Sequence, residues 1–363
     1  MSLLLRTLVR GLSPRLLWPS IAAEVGLVGT RGVGARTTRL GWEVVLRLAP
    51  PASQASVERH AEAVATALGL ARVRATPDPA RADRIHLALD FIRSLGLVAY
   101  PEDRGRVWTP DSPAWPVPLG VDDDGNEVSV FLYGSSLLIG GSPGSGKSTA
   151  IRALLAGLAR QRDTAIVGLD PKRVELTPWR SRLSDLVVGN DPQPTLDLLH
   201  RLVREVQRRA VLMSDQGVVT LRPSNETPAI VLVVDEWAEL AAEGTSKQRA
   251  EAQELLRRFV SLGRAVGCSA ILATQRPTSD SIDTGTRSLL AHRFALRCGD
   301  RWQSESILGQ GLADASRIPV GSPGYGLLTD GGSLRGVQGY DLAPERIAES
   351  ACAGLRVQWQ GWP

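Results

Sequence analysis

The stretch GGSPGSGKST at residues 140–149 holds the side chains best suited to chemistry. Gly141 to Ser148 fits the pattern G-x-x-x-x-G-K-S, with the apolar run SSLLIG before it and the helix-forming AIRALLAGLAR after it. A strand before and a helix after is the context in which this pattern binds phosphate. Glycines at 140, 141, 144 and 146 let the backbone come close to an anion and aim N–H groups at it, beside a helix N-terminus that favours negative charge. The expected cradle runs through Gly141, Ser142, Pro143, Gly144, Ser145, Gly146, Lys147, Ser148 and Thr149. Within it Lys147 reaches the β- and γ-phosphates of ATP, and Ser148 ligates Mg2+. Lysine occurs at only three positions, 147, 172 and 247, and one of them fills this slot.

A phosphate loop still needs an acid to hold the metal and a base to polarise water. The segment AIVLVVDEWAEL supplies both: an apolar strand ends in Asp235, placed to hold the metal with Ser148, and Glu236 follows as general base. An acid pair there predicts hydrolysis by water rather than phosphoryl transfer to a small molecule. Further on, LGRAVGCSAILATQRPTSD predicts a strand beside the Asp235 strand, ending in Thr274 and Gln275. Gln275 would then meet the γ-phosphate or the attacking water. The histidines (60, 86, 200 and 292) are scattered, and Cys268, Cys298 and Cys352 lack pairing or metal-ligand spacing. Zinc chemistry and a Ser/His triad have no support, and the thiols point to a reducing, cytoplasmic setting.

These residues need a framework that brings strand ends together. From about residue 120 the sequence alternates strand and helix: EVSVFLY, SLLIG, a helix over 147–161, TAIVGLD, a helix over 194–214, AIVLVVD, a helix over 247–262, CSAILAT and RFALRC. Apolar, β-branched strands separated by helices predict a mainly parallel α/β sheet covered on both faces, with ligands at the strands' carboxyl ends. Upstream, GWEVVLRL, the amphipathic SVERHAEAVATALGL, ARVRA and RIHLALDFI predict a small α+β module. The proline-rich 101–119 reads as a linker. The expected organisation is an N-terminal amphipathic, basic segment (1–37), the module and linker (38–119), an ATPase unit (120–340) and a short tail (341–363).

A chain of 363 residues with 43% hydrophobic and 22% charged residues is of ordinary globular composition, and a net charge of +4 leans only slightly towards a polyanionic partner. No run reaches the roughly 18 apolar residues of a membrane span. Leu5, Leu8, Val9 and Leu12 lie at helical spacing before Pro14, read as a breaker; this piece either packs on its own protein or lies on a membrane surface. Arginines at 6, 10 and 15 interrupt any export signal.

In order, GGSPGSGKST, LDPKRVEL, VVDEWAEL, GRAVG, LATQRP and SESILGQG resemble the motor domain of the FtsK–SpoIIIE family of DNA translocases over about residues 120–340. PVPLGVDDDGNEV and GSPGYGLLTDGG are similar to its short plasmid-transfer branch, of TraB and TraSA type. The resemblance implies a RecA-like phosphate-loop fold and a homo-oligomeric, hexameric ring that encircles double-stranded DNA and moves it with ATP. It also implies active sites shared between subunits, with Arg264 of GRAVG matching the arginine inserted into a neighbour's site and Arg276 as a rival. Asp170, Pro171, Lys172 and Arg173 have two open roles: coupling nucleotide state to DNA or a subunit interface, or forming a capping turn with exposed charge. Arg204, Arg208 and Arg209 read as a solvated helix face. The family's chromosome-segregating members have membrane spans and a winged-helix DNA reader, for which this sequence has no counterpart. Attachment at the inner face of the membrane would therefore rest on the N-terminal piece or on a membrane-associated transfer partner. Two alternatives stay open, a related ring ATPase driving protein secretion and a nucleotide-gated DNA clamp.

Overall fold

The computed structural model describes residues 13–38, 40–70, 72–91, 98–101, 116–224, 226–275, 282–352 and 356–359. The chain divides into two compact units, residues 1–96 with the turn 123–126, and residues 97–122 with 127–363. Residues 341–363 are grouped with the larger unit.

In the smaller unit, helix α1 (Pro14–Val25) precedes strands β1 (Thr30–Thr37) and β2 (Gly41–Leu48), helix α2 (Gln54–Leu68), and strands β3 (Arg72–Pro77) and β4 (Arg84–Asp90). The sheet is antiparallel, in the order β1-β2-β4-β3. Alternation along β2 and β4 turns Val44, Leu46, Ile85, Leu87 and Leu89 inward against Val57, Val64 and Leu68 of α2 and Trp18 and Ile21 of α1. Pro14 does not break a helix here but opens one, because its missing N–H is no loss in the first turn. Leu5, Leu8, Val9 and Leu12 lie outside the described residues. β1 has no clean alternation in TRGVGART and is held by its pairing with β2.

The larger unit begins with β5 (Val98–Ala99), β6 (Pro116–Asp122), β7 (Glu127–Phe131), β8 (Leu137–Gly140), helix α3 (Lys147–Ala159), β9 (Thr164–Asp170) and β10 (Asp185–Val188). It continues with α4 (Pro192–Gln216), β11 (Ala229–Val234), α5 (Trp237–Ala242), α6 (Ser246–Gly263), β12 (Cys268–Thr274), α7 (Thr284–Leu289), β13 (His292–Leu296), α8 (Arg301–Leu308), β14 (Tyr325–Thr329), β15 (Leu334–Asp341) and α9 (Ile347–Cys352). The described strands form one sheet, β10-β9-β11-β12-β8-β13-β14-β15-β6-β7, with β5 on β15. From β10 to β13 every pairing is parallel, as expected, and from β13 to β7 every pairing is antiparallel. Four residues assigned to the linker, 116–119, are the start of β6; residues 102–115 lie outside the described residues.

Both faces of the parallel half are buried. Ala165, Val167 and Leu169 of β9, Ile230, Leu232 and Val234 of β11, and Cys268, Ala270 and Leu272 of β12 share one core with the apolar stripes of α4 and α6. The intervening residues of the same strands, such as Ile166, Val231 and Ile271, are equally buried on the other face. At about 25 cal/mol per Å2 of apolar surface, this two-sided burial dominates the unit's stability.

Candidate nucleotide-hydrolysis site

Strand register assembles the site. Gly140, the last residue of β8, pairs with Thr274, the last of β12. On the other side of β12, Val234 of β11 pairs with Leu272, which brings Asp235 and Glu236 level with the end of β12. Since these strands are parallel, the phosphate loop, the acid pair and Gln275 emerge at one carboxyl edge.

The loop is fixed from several directions. The Gly141 N–H donates to Thr274 O at 3.3 Å and the Ser142 N–H to Arg297 O at 2.8 Å, tying it to both neighbouring strands. Behind it the turn Gly321–Gly324 closes in, and the Gly324 N–H donates to Ser145 O at 2.8 Å. Gly146 takes φ +103°, and a Cβ there would come within 2.3 Å of the Gly324 nitrogen, so both the left-handed backbone and the close approach demand glycine. The Ser145 hydroxyl is buried without a protein partner, which leaves a donor inside a loop that receives phosphate oxygens.

Lys147, Asp235 and Glu236 are all nearly inaccessible, at 5, 1 and 2% exposure. The Lys147 ammonium donates to Asp235 Oδ1 at 2.7 Å and to Asp235 O at 2.5 Å, and lies 4.0 Å from Glu236 Oε2. Each Glu236 oxygen accepts from the Gln275 N–H at 3.0 Å. Lys172, with one-third of its side chain exposed, stands 3.5 Å from Glu236 Oε2 and 3.4 Å from Glu239 Oε1. Burial alone would lower the Lys172 pKa, but the carboxylates of Glu236, Glu239 and Asp235 outweigh it and hold the ammonium above its ordinary value. Two of the chain's three lysines thus face its buried acid pair. Among the described residues, no group of three or more His, Cys, Asp or Glu side chains could hold a metal. Mg2+ does not need one, because it retains waters and takes oxygens from the substrate's phosphates; one hydroxyl, Ser148, and one carboxylate, Asp235, suit it.

Gln275 therefore joins the site, with its backbone amide as the group in contact. Arg264 does not. It is exposed at the end of α6, ahead of β12, whose seven residues span about 20 Å. That puts it at the opposite edge of the sheet from its own phosphate loop. Arg276 lies outside the described residues. Asp170, fully buried, accepts from the N–H groups of Val174, Leu176 and Thr177 and is a capping residue, whereas Lys172 faces the acids. Of the arginines on α4, Arg204 is exposed, while Arg208 and Arg209 both bind Glu205 and Arg209 is buried, donating to Val266 O. Sequence reasoning missed Arg182. Its buried guanidinium donates to the carbonyls of Leu158, Ala159, Gln161 and Thr164, closing the end of α3. No local pattern distinguishes Arg182 from the surface arginines around it.

Residues 102–227 match the FtsK/SpoIIIE family model. Over these residues the chain is similar to the FtsK/SpoIIIE family. The match takes in the phosphate loop and Lys172 and stops short of Asp235. Beyond the FtsK/SpoIIIE match, the chain is 30% identical to Protein Tra of Streptomyces lividans over 346 residues, 90% of this chain and 53% of that one. It is 32% identical to the DNA translocase FtsK of Chlorobaculum tepidum over 219 residues, 54% of this chain and 27% of that one. The chain thus spans about half the length of the first relative and about a quarter of the second. Among solved structures, the fold is similar to the pCW3 conjugation coupling protein TcpA in its monomer form with ATPgS. The TM-score is 0.63 at 17% identity, covering 93% of this chain and 98% of that one. It is also similar to the cytoplasmic domain of the Thermomonospora curvata type VII secretion ATPase EccC, with a TM-score of 0.56 at 22% identity over 73% of this chain and 34% of that one. These likenesses establish an α/β, RecA-like phosphate-loop fold.

Proposed function

We propose that this chain is an ATP hydrolase that moves double-stranded DNA, acting in the transfer of a plasmid or integrative element. The observation that carries the reading is the meeting of Lys147, Asp235, Glu236 and the Gln275 amide at one sheet edge behind a fixed phosphate loop. Similarity to relatives named for DNA translocation and conjugation supports DNA as the substrate.

In the proposed reaction the loop's N–H groups and Lys147 bind the triphosphate, so Lys147 exchanges Asp235 for phosphate oxygens. Ser148 and Asp235 would hold Mg2+, which neutralises charge on the β- and γ-phosphate oxygens when bound. Glu236 takes a proton from water as the water oxygen attacks the γ-phosphorus. The bond from that phosphorus to the β–γ bridging oxygen breaks, its electron pair leaves with ADP, and phosphate is released. The buried, pre-oriented carboxylate loses no reorganisation energy at that moment. Arg264, too far to serve its own site, would serve a neighbour's in a hexameric ring. No described helix is long and apolar enough to cross a membrane, and we place the chain at the cytoplasmic side, where a membrane-associated transfer partner would recruit it.

The test is ATPase rate against linear duplex DNA, with single-stranded DNA for comparison and Lys147→Ala as the blank. Stimulation by duplex that fades between low and moderate salt is expected, because a motor that touches phosphates releases counterions on binding. The likeness to EccC favours a second reading, protein secretion, and a rate indifferent to DNA would move the assignment there.

A further inference from the structure

We infer that Lys172 is a positioning residue for the general base, holding the Glu236 carboxylate towards the attacking water. The inference rests on the hydrolytic reading above. In the structure the two acids share two ammonium groups, Lys147 at 2.7 Å from Asp235 and Lys172 at 3.5 Å from Glu236. A triphosphate draws Lys147 to itself, and the buried Glu236 is then left beside Lys172. Without that ammonium, the buried Glu236 carboxylate would keep only the Gln275 N–H and could turn away from the water.

Lys172 is held for this task from both ends. Asp170 fixes the backbone around it by accepting from the N–H groups of Val174, Leu176 and Thr177 at 3.0 to 3.2 Å. Glu239, in the first turn of α5, anchors the ammonium from the solvent side at 3.4 Å. The ammonium is thereby pinned between a buried acid and a surface acid on one helical turn. The ammonium lies beside Oε2 while the Gln275 N–H reaches both oxygens, so an ion pair and an amide together hold the carboxylate. Lys172 touches Glu236 and acts through it.

The experiment uses the full chain with Lys172→Ala and Lys172→Arg, measuring DNA-stimulated kcat and KM, affinity for a fluorescent ATP analogue, and thermal midpoint. Lys172→Ala is expected to lower kcat roughly tenfold, a part of what a general base contributes, with KM and analogue affinity unchanged. Lys172→Arg should recover most of the loss. In a Glu236→Gln background, Lys172→Ala should add no further loss, because residues acting through one group are not additive. Unchanged kcat in Lys172→Ala with an active parent overturns the inference alone. So does a loss that persists in the Glu236→Gln background, or one that arginine fails to restore while the thermal midpoint falls. A parent chain that hydrolyses no ATP overturns the proposed function and this inference together.

Discussion

Glu236 can be tested apart from its neighbours because its contacts differ in kind from those of Lys147. Lys147 grips Asp235 and must let go for a nucleotide to bind, whereas Glu236 is held by an amide and an ammonium that leave the loop free. Glu236→Gln keeps shape and volume and should bind ATP with parental affinity while hydrolysis falls about 100-fold or more, a split that equilibrium binding and single-turnover rates would resolve. The thiols give a second prediction. Burial pushes Cys298 up to about 12 and Cys268 up to about 11, while Cys352 is exposed. A raised thiol pKa means less of the reactive thiolate at pH 8. A maleimide or aromatic disulfide reagent should therefore label Cys352 quickly in the folded protein and reach the other two only on unfolding, as mass spectrometry of the labelled sites would report.

Among elements, α3 carries most consequence, since its first turn is the phosphate loop's exit and its last turn ends under Arg182. Helix ends leave carbonyls without partners, and here one guanidinium serves several of them at once. Burial lowers the Arg182 pKa to about 10, so the group stays charged at neutral pH and its donors remain available. Arg182→Ala would strand those carbonyls and open a cavity, and we expect a loss of about 3 kcal/mol in unfolding free energy, read as a lower denaturant midpoint. The antiparallel extension acts on the same helix from the other end. The turn Gly321–Gly324 leads into β14 and backs the loop through Gly324, so a part of the chain with no chemistry of its own sets the position of the phosphate cradle.

At the scale of the whole molecule, the far placement of Arg264 makes the strongest claim. An arginine on the amino edge of β12 cannot serve phosphates on the carboxyl edge of the same sheet. If it serves a neighbour, Arg264→Ala should bind ATP normally and hydrolyse it about 1,000-fold more slowly. Mixing Arg264→Ala with Glu236→Gln chains should then return activity, because a ring of both contains sites with an intact base facing an intact arginine. Mixed activity no greater than the sum of the separate chains would place Arg264 outside the reaction.

The sequence by itself determined the phosphate loop, the acid pair, the parallel half of the sheet and its helices. These are local properties: a motif of eight residues, apolar runs ending in acids, and a 3.6-residue stripe on α4 and α6. CSAILAT and TAIVGLD coincide with β12 and β9 because continuous apolar runs bounded by polar residues leave little freedom. What only the tertiary structure decided were relations between residues far apart in the chain. β1, β6, β14 and β15 owe their strand form to neighbours rather than to their own glycine- and proline-bearing sequences. Lys172 looks like a surface charge until β9 and β11 lie side by side and bring it to Glu236. Arg209 sits in what reads as a solvated basic run but is buried, and Arg264 proves remote from the loop it was expected to serve only through another chain. Periodicity reports which face of an element is buried, but the partner of a charge depends on strand order and register, which pairing across the whole sheet fixes.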